Sequence, residues 1–208
     1  MITVLVPIVD KSFYTAAEIT QLRYTLNTID NSYKHIIEPL ARINQTRKEL
    51  ITAVIFLESS GNAKAKTAYA VGLMGLAPRS MTDTVTRERK RGKISEYEKE
   101  IIKKHVGASK FAKIMNAKMG DDFFTADECL IPELNICLGT MYLMQIVDEE
   151  TKNGTVRLDR VIVRYNKGYY ATIPSGSTQD LLNSNLPYET KSYILKLAGI
   201  NGILDILL

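Results

Sequence analysis

Glu58 closes an almost wholly apolar run, Leu50-Ile51-Thr52-Ala53-Val54-Ile55-Phe56-Leu57, and Ser59-Ser60-Gly61-Asn62 breaks it. As a helix this run is apolar nearly all round, which marks a core element rather than a surface one. Glu58 then follows Val54 and Ile55 by about one turn and Ile51 by about two. A carboxyl group held against such a surface loses hydration, and its pKa rises. That is how a carboxylic acid becomes able to donate a proton near neutral pH. The competing reading is a solvated glutamate at a fraying helix end, since most glutamates are structural.

Other residues with chemical potential come in three groups. Tyr69-Ala70-Val71-Gly72-Leu73-Met74-Gly75-Leu76-Ala77-Pro78 places two glycines three apart in a small apolar segment closed by a proline. Glycine admits positive φ and close backbone approach, so this loop can lie against a ligand or under a catalytic residue. It can equally be an ordinary tight turn beside a core helix. Leu158, Val161, Ile162 and Tyr165 fall at helical spacing, and Gly168 is a natural C-terminal stop. By themselves Tyr165 reads as a core aromatic with its hydroxyl at the edge, and Asn166 as a C-cap. Pro187 precedes a helix that ends near Gly199, with Glu189 and Tyr193 one turn apart on one face.

Taken in order, Glu58-Ser59, Gly72-Leu73-Met74, Tyr165-Asn166-Lys167-Gly168 and Glu189-Thr190-Lys191-Ser192-Tyr193 resemble the soluble lytic transglycosylase domain, a relative of goose-type lysozyme. The family pattern is Glu-Ser with a glycine soon after, then Gly-Leu-Met-Gln, Ala-Tyr-Asn-x-Gly and Glu-Thr-x-x-Tyr. Pro132-Glu133-Leu134-Asn135-Ile136, followed by Gly139-Thr140-Met141-Tyr142-Leu143, resembles the family's helix between the second and third motifs. The match runs from Leu50 to Leu197. Each motif is weak alone, and five in the right order are strong.

The resemblance implies a mostly α, lysozyme-like helical domain with a long helical insert. It also implies cleavage of the β-1,4 bond between N-acetylmuramic acid and N-acetylglucosamine in bacterial peptidoglycan, with no cofactor and no metal. Glu58 would protonate the glycosidic oxygen and then, as a base, deprotonate the muramic acid C6 hydroxyl, closing a 1,6-anhydro ring. Ordinary glycosidases need a second carboxylate, and the matched motifs supply none. A hydrolytic muramidase and a catalytically degenerate scaffold are the alternatives. By the same resemblance Tyr193 should orient Glu58 or the sugar. Tyr165 and Asn166 should line the cleft, and Ser59 should hold the glycan or lactyl region. Met74 and the Gly72-Leu73 backbone should form one wall. Gly75 and Glu189 are expected near the site in structural roles.

The sequence departs from that pattern in three places. Position 75 is Gly where the family has Gln, which removes a side chain able to bond the sugar or the catalytic carboxyl. Arg164 replaces a small residue before Tyr165. The stretch between Pro78 and Pro132 is about twice as long as the resemblance implies, and carries Arg87-Glu88-Arg89-Lys90-Arg91-Gly92-Lys93. Such charge runs usually form a solvated surface helix and loop. The sharper reading is a basic flap over the cleft, or a docking surface. Nucleic acid is not the expected partner, because no aromatic residues interleave with the basic ones.

The chain has 208 residues, 45% of them hydrophobic, enough for one well-cored domain with appendages. The formal charge of +4 suits an anionic bacterial envelope and many unrelated settings. Cys129 and Cys137, at the start of one predicted helix, are poorly placed to bridge. With His35 and His105 they form no metal-ligand cluster. The N-terminal stretch is apolar and short, lacks a basic start and ends at Asp10, which does not read as a secretory signal. No run is long enough to span a membrane. The expected setting is therefore a phage virion, with tail or baseplate proteins contacted through the apolar termini or the insert. A conjugation or secretion machine and a lysis enzyme are alternatives.

Residues 1–44 are expected to form an arm over 1–12 and one or two helices over 15–44, with Ile19, Leu22, Leu26 and Ile29 at near-helical spacing. The transglycosylase-like region spans 45–199, with the insert at 79–131 carrying partial helices over 95–105 and 108–119. A buried helix follows over 135–150, then a turn at Asn153-Gly154. The apolar tail 200–208 either docks on the domain's own surface or inserts into a partner.

Overall fold

The computed structural model describes residues 3–5 and 9–208; part of the expected N-terminal arm, at residues 1, 2 and 6–8, lies outside the described residues. The described elements run β1 (Thr3–Leu5), β2 (Val9–Ser12), α1 (Ala16–Ile43), α2 (Lys48–Ser59), α3 (Pro78–Arg91), α4 (Glu96–Val106), α5 (Ala108–Ile114) and α6 (Ala126–Cys129). They continue with α7 (Pro132–Glu150), β3 (Thr151–Lys152), β4 (Thr155–Arg157), α8 (Leu158–Lys167), α9 (Thr178–Asn183), α10 (Tyr188–Ala198), β5 (Gly199–Ile200) and α11 (Ile203–Leu207). The architecture is mostly helical, as the sequence predicts. It divides into two compact units, Thr25–Tyr142 and Met1–Tyr24 with Leu143–Leu208.

In the Thr25–Tyr142 unit, every residue from Leu50 to Ile55 is buried, so α2 is covered on all sides. This is the outcome that an apolar run without a polar stripe dictates. The expected one or two N-terminal helices form a single α1 that continues through Pro39. Its Leu26, Ile29, Ile37 and Leu40 feed the core of this unit.

The insert is not a solvated appendage. Met81, Val85, Ile102 and Ile114 are fully buried and some of its charges are paired within it, while Lys90 and Lys93 of the charge run are exposed. Arg89 donates to the Ala117 carbonyl (2.8 Å) and Arg91 pairs with Glu88 (2.8 Å). Buried Glu98 closes a capping box on Ser95 and accepts a hydrogen bond from Asn44 Nδ2 at 3.1 Å. The second insert helix stops at Ile114 rather than Met119, because Asn116 and Ala117 turn back onto the carbonyls of Lys113 and Ile114. The next long helix starts at Pro132 instead of Asn135, with proline serving at a first turn where its missing N–H costs nothing.

The other unit contains both small sheets. β1 pairs in parallel with β4, which pairs antiparallel with β3 through the expected Asn153-Gly154 turn. Both turn residues have positive φ (51° and 74°), the geometry that favours Asn-Gly in two-residue hairpins. β2 pairs in parallel with β5. The apolar tail docks on its own unit: Ile203 and Leu204 of α11 are buried there.

Candidate functional site

Glu58 lies half-buried in the last turn of α2. The chain leaves that helix through Ser60 and Gly61, both left-handed, with Ser60 N–H bonded to the Phe56 carbonyl at 2.9 Å. A Cβ at Gly61 would stand 2.7 Å from Ile29 Cγ1, so the exit requires glycine on steric as well as conformational grounds.

The glycine-rich segment is a tight loop. Val71 and Leu76 exchange both backbone hydrogen bonds (3.0 and 3.1 Å) and so enclose Gly72-Leu73-Met74-Gly75. Gly72 N–H also donates to the Ala65 carbonyl at 2.9 Å. Gly72 and Gly75 have φ of 79° and 59°. A Cβ on Gly75 would stand 3.0 Å from Cδ of Glu58 and closer still to Oε2. The missing glutamine therefore has a physical counterpart: the space a side chain at position 75 would need is filled by the Glu58 carboxyl.

Two polar side chains hold the loop. Asn135, fully buried on α7, accepts from Met74 N–H (2.7 Å) and donates to the carbonyls of Val71 (3.1 Å) and Cys129 (2.8 Å). A Cβ at Gly72 would collide with this amide. Ser59 Oγ lies 2.9 Å from the Leu73 carbonyl and 3.0 Å from that of Ile55, and accepts from Gly61 N–H at 3.2 Å. Its hydroxyl is thus engaged in fastening the loop to α2. Leu73 and Met74 are fully buried, with Met74 seated on Gly139, where a Cβ would come 2.6 Å from its own. Gly72 is buried with them, so the expected cleft wall of Met74 and the Gly72-Leu73 backbone is not exposed, and of the four enclosed residues only Gly75 is partly accessible. Sequence reasoning quoted Asn135 within a motif but gave it no role. Its one local signal is an amide inside the apolar stretch Leu134 to Leu138.

The remaining expected residues sit on α8 and α10 of the other unit. Tyr165 and Tyr193 are buried, and the Lys196 ammonium lies 6.0 Å from the Tyr193 ring centroid. Asn166 is helical rather than a cap; Gly168 takes the C-cap position. Asn166 Oδ1 accepts from the buried Thr190 hydroxyl at 2.6 Å, which joins the third motif to the fourth. Thr190 is the second residue whose role sequence reasoning missed. Glu189 is exposed in the first turn of α10, where an acidic residue suits the helix dipole. Arg164 is held by its surroundings and bonds buried Glu150 (Nε to Oε1, 2.7 Å) and the Tyr169 carbonyl (2.7 Å).

Cys129 and Cys137 are unbridged and buried, and burial pushes the Cys129 thiol up to about 12. His105 is paired with Glu133 at 2.7 Å, and His35 is exposed. Among the described residues, no group of three or more His, Cys, Asp or Glu side chains could hold a metal ion. Among them, too, no helix is long and apolar enough to cross a membrane. No family model and no curated protein matches the chain, so a functional reading rests on the geometry of the site and on the motif pattern.

Proposed function

We propose that this chain has a lysozyme-like helical fold and is a peptidoglycan lytic transglycosylase with Glu58 as its single acid–base group. The observation that carries this reading is the Glu58 carboxyl at the end of a core helix, packed on a loop that is side-chain-free at the point of contact. Holding that loop through Asn135 and Ser59 fixes both the carboxyl and the backbone beside it, and preorganised groups contribute most to catalysis.

In the reaction, the Glu58 proton passes to the glycosidic oxygen as the bond from C1 of the muramic acid breaks. The resulting carboxylate then takes the proton of the C6 hydroxyl, whose oxygen bonds to C1. Glu58 ends protonated, as it began, and no water is consumed. One group acting in turn as acid and base removes the need for the second carboxylate of ordinary glycosidases. Tyr165, Asn166 and Tyr193 are assigned to the sugar by the motif pattern. Thr190 is assigned to positioning Asn166.

The test is digestion of purified peptidoglycan by the wild type and by Glu58→Gln, with mass analysis of the soluble fragments. Anhydro-muropeptides from the wild type alone support the proposal. Products heavier by one water assign the chain to hydrolytic muramidases.

A further inference from the structure

The unit that includes Leu143–Leu208 carries a groove of about 330 Å³ that the proposed reaction does not use. Lys152, Thr155 and Arg157 line it from the β3–β4 hairpin, Arg160 from the first turn of α8, and Ser175 from the following loop, with Glu150 beneath. Lys152 and Thr155 are direct cross-strand partners, so their side chains share one face of the hairpin.

Two guanidinium groups are fixed before any ligand arrives. Arg160 donates to Glu150 Oε2 and to the Pro174 carbonyl, both at 2.8 Å. Arg157 donates to Asp159 Oδ2 at 2.5 Å and to the Gly176 carbonyl. Burial alone would raise the Glu150 pKa, but hydrogen bonds from Arg160 and Arg164, with their charges, outweigh it and hold the carboxyl below its ordinary value. Glu150 is therefore an anion that anchors two cations.

The local charges do not cancel. Lys152, Arg157, Arg160 and Arg164 face Glu150, Asp159 and Asp180, an excess of one positive charge. Among the described residues, the Lys152 ammonium and the hydroxyls of Thr155 and Ser175 find no hydrogen-bond partner. The Nε–Nη2 fork of Arg157 is taken by Asp159, so the donors left to an oxyanion are an unpartnered ammonium, two free hydroxyls and the remaining N–H groups of Arg160.

We infer that this groove binds a carboxylate group of a short peptide. Naming the peptidoglycan stem as that peptide rests on the proposed function; the oxyanion chemistry rests on the groove. Preorganised cations spare a ligand the cost of ordering them, which favours small, acidic, flexible peptides.

The test is calorimetric titration of the full chain with muramyl dipeptide in its free-acid form, with the same peptide amidated at its one free carboxylate, and with inorganic phosphate. The free acid should bind at least tenfold more tightly than the amide. Lys152→Ala should weaken it at least tenfold with an unchanged Tm, and Lys152→Arg should restore it. Equal binding of acid and amide, wild-type affinity in Lys152→Ala, or phosphate competing as well as the peptide would each overturn the assignment. Glu58→Gln should bind the dipeptide as the wild type does. Binding without any cleavage activity would thus count against the transglycosylase alone, and cleavage without binding would count against the groove alone.

Discussion

Gly75→Ala perturbs Glu58 without altering its chemistry. Gly75 has φ of 59°, where an L-residue costs about 1–2 kcal/mol. The new Cβ would stand 3.0 Å from Glu58 Cδ and closer to Oε2, so one of the two must move. The loop cannot retreat easily, because the Val71–Leu76 pair and Asn135 hold it. The carboxyl must rotate instead, at about 0.5–1.5 kcal/mol for an off-rotamer side chain. Together these give about 2–3 kcal/mol, which for a chain of 208 residues lowers Tm by about 5–10 °C. In a Glu58→Ala background the carboxyl obstruction is gone, and only the backbone cost and a 3.2 Å contact with the retained Cβ of position 58 remain. A double-mutant cycle by calorimetry should therefore return a coupling of about 1 kcal/mol between positions 58 and 75. The rate should suffer more than the stability, since misplacing a catalytic group by about 1 Å costs on the order of 100-fold. Turbidity loss of a peptidoglycan suspension, at a temperature where both proteins are folded, measures it. Equal destabilisation in the two backgrounds, or full activity in Gly75→Ala, would refute the claim that this glycine sets the position of the carboxyl.

Three further outcomes follow from the same geometry. Asn135→Ala strands the Cys129 carbonyl in the core and removes a partner from the Met74 N–H and from the Val71 carbonyl, which keeps only the Leu76 N–H; at about 1–3 kcal/mol for an unsatisfied group it should be clearly destabilising by chemical denaturation. Thr190→Val removes the donor to Asn166 while keeping its shape; the expected loss is about 1 kcal/mol, with a rise in KM for glycan fragments rather than loss of fold. Glu150 has a folded pKa below its ordinary 4.5, so its contribution is present above that value and is lost as pH falls through the folded pKa. Glu150→Gln should accordingly flatten the acid side of a stability–pH profile measured between about pH 6 and pH 2, and an unchanged slope would show that the Arg160–Glu150–Arg164 cluster does not stabilise the fold.

What the sequence disclosed depended on whether the deciding interactions are local. α2 was legible because its apolar residues leave no face for water, and its burial follows directly. The stops at Gly168 and Gly199 and the Asn153-Gly154 turn, though not the strands it joins, were legible because positive φ and helix termination are properties of one or two residues. The buried face of the insert was hidden because a charge run looks solvated throughout until its partners are known, although its outer residues, Lys90 to Lys93, are exposed as expected. Glu88 and the Ala117 carbonyl are such partners, the latter 28 positions from Arg89. The clamp on the glycine loop was hidden for the same reason, since Asn135 reaches the Met74 N–H across 61 positions. Arg164 looked like a flaw in the third motif, and its purpose appears only once Glu150 and the Tyr169 carbonyl surround it. Gly75 looked like a lost contact, and is instead the space in which Glu58 sits.

The central claim, that Glu58 alone serves as acid and base, is tested most directly by the mass of the sugar product. Wild-type protein and Glu58→Gln would be incubated with purified peptidoglycan and the released muropeptides weighed. The proposed mechanism predicts 1,6-anhydro products from the wild type and none from Glu58→Gln, with both proteins equally folded. Reducing-end products, heavier by one water, or release by Glu58→Gln at the wild-type rate, would contradict it.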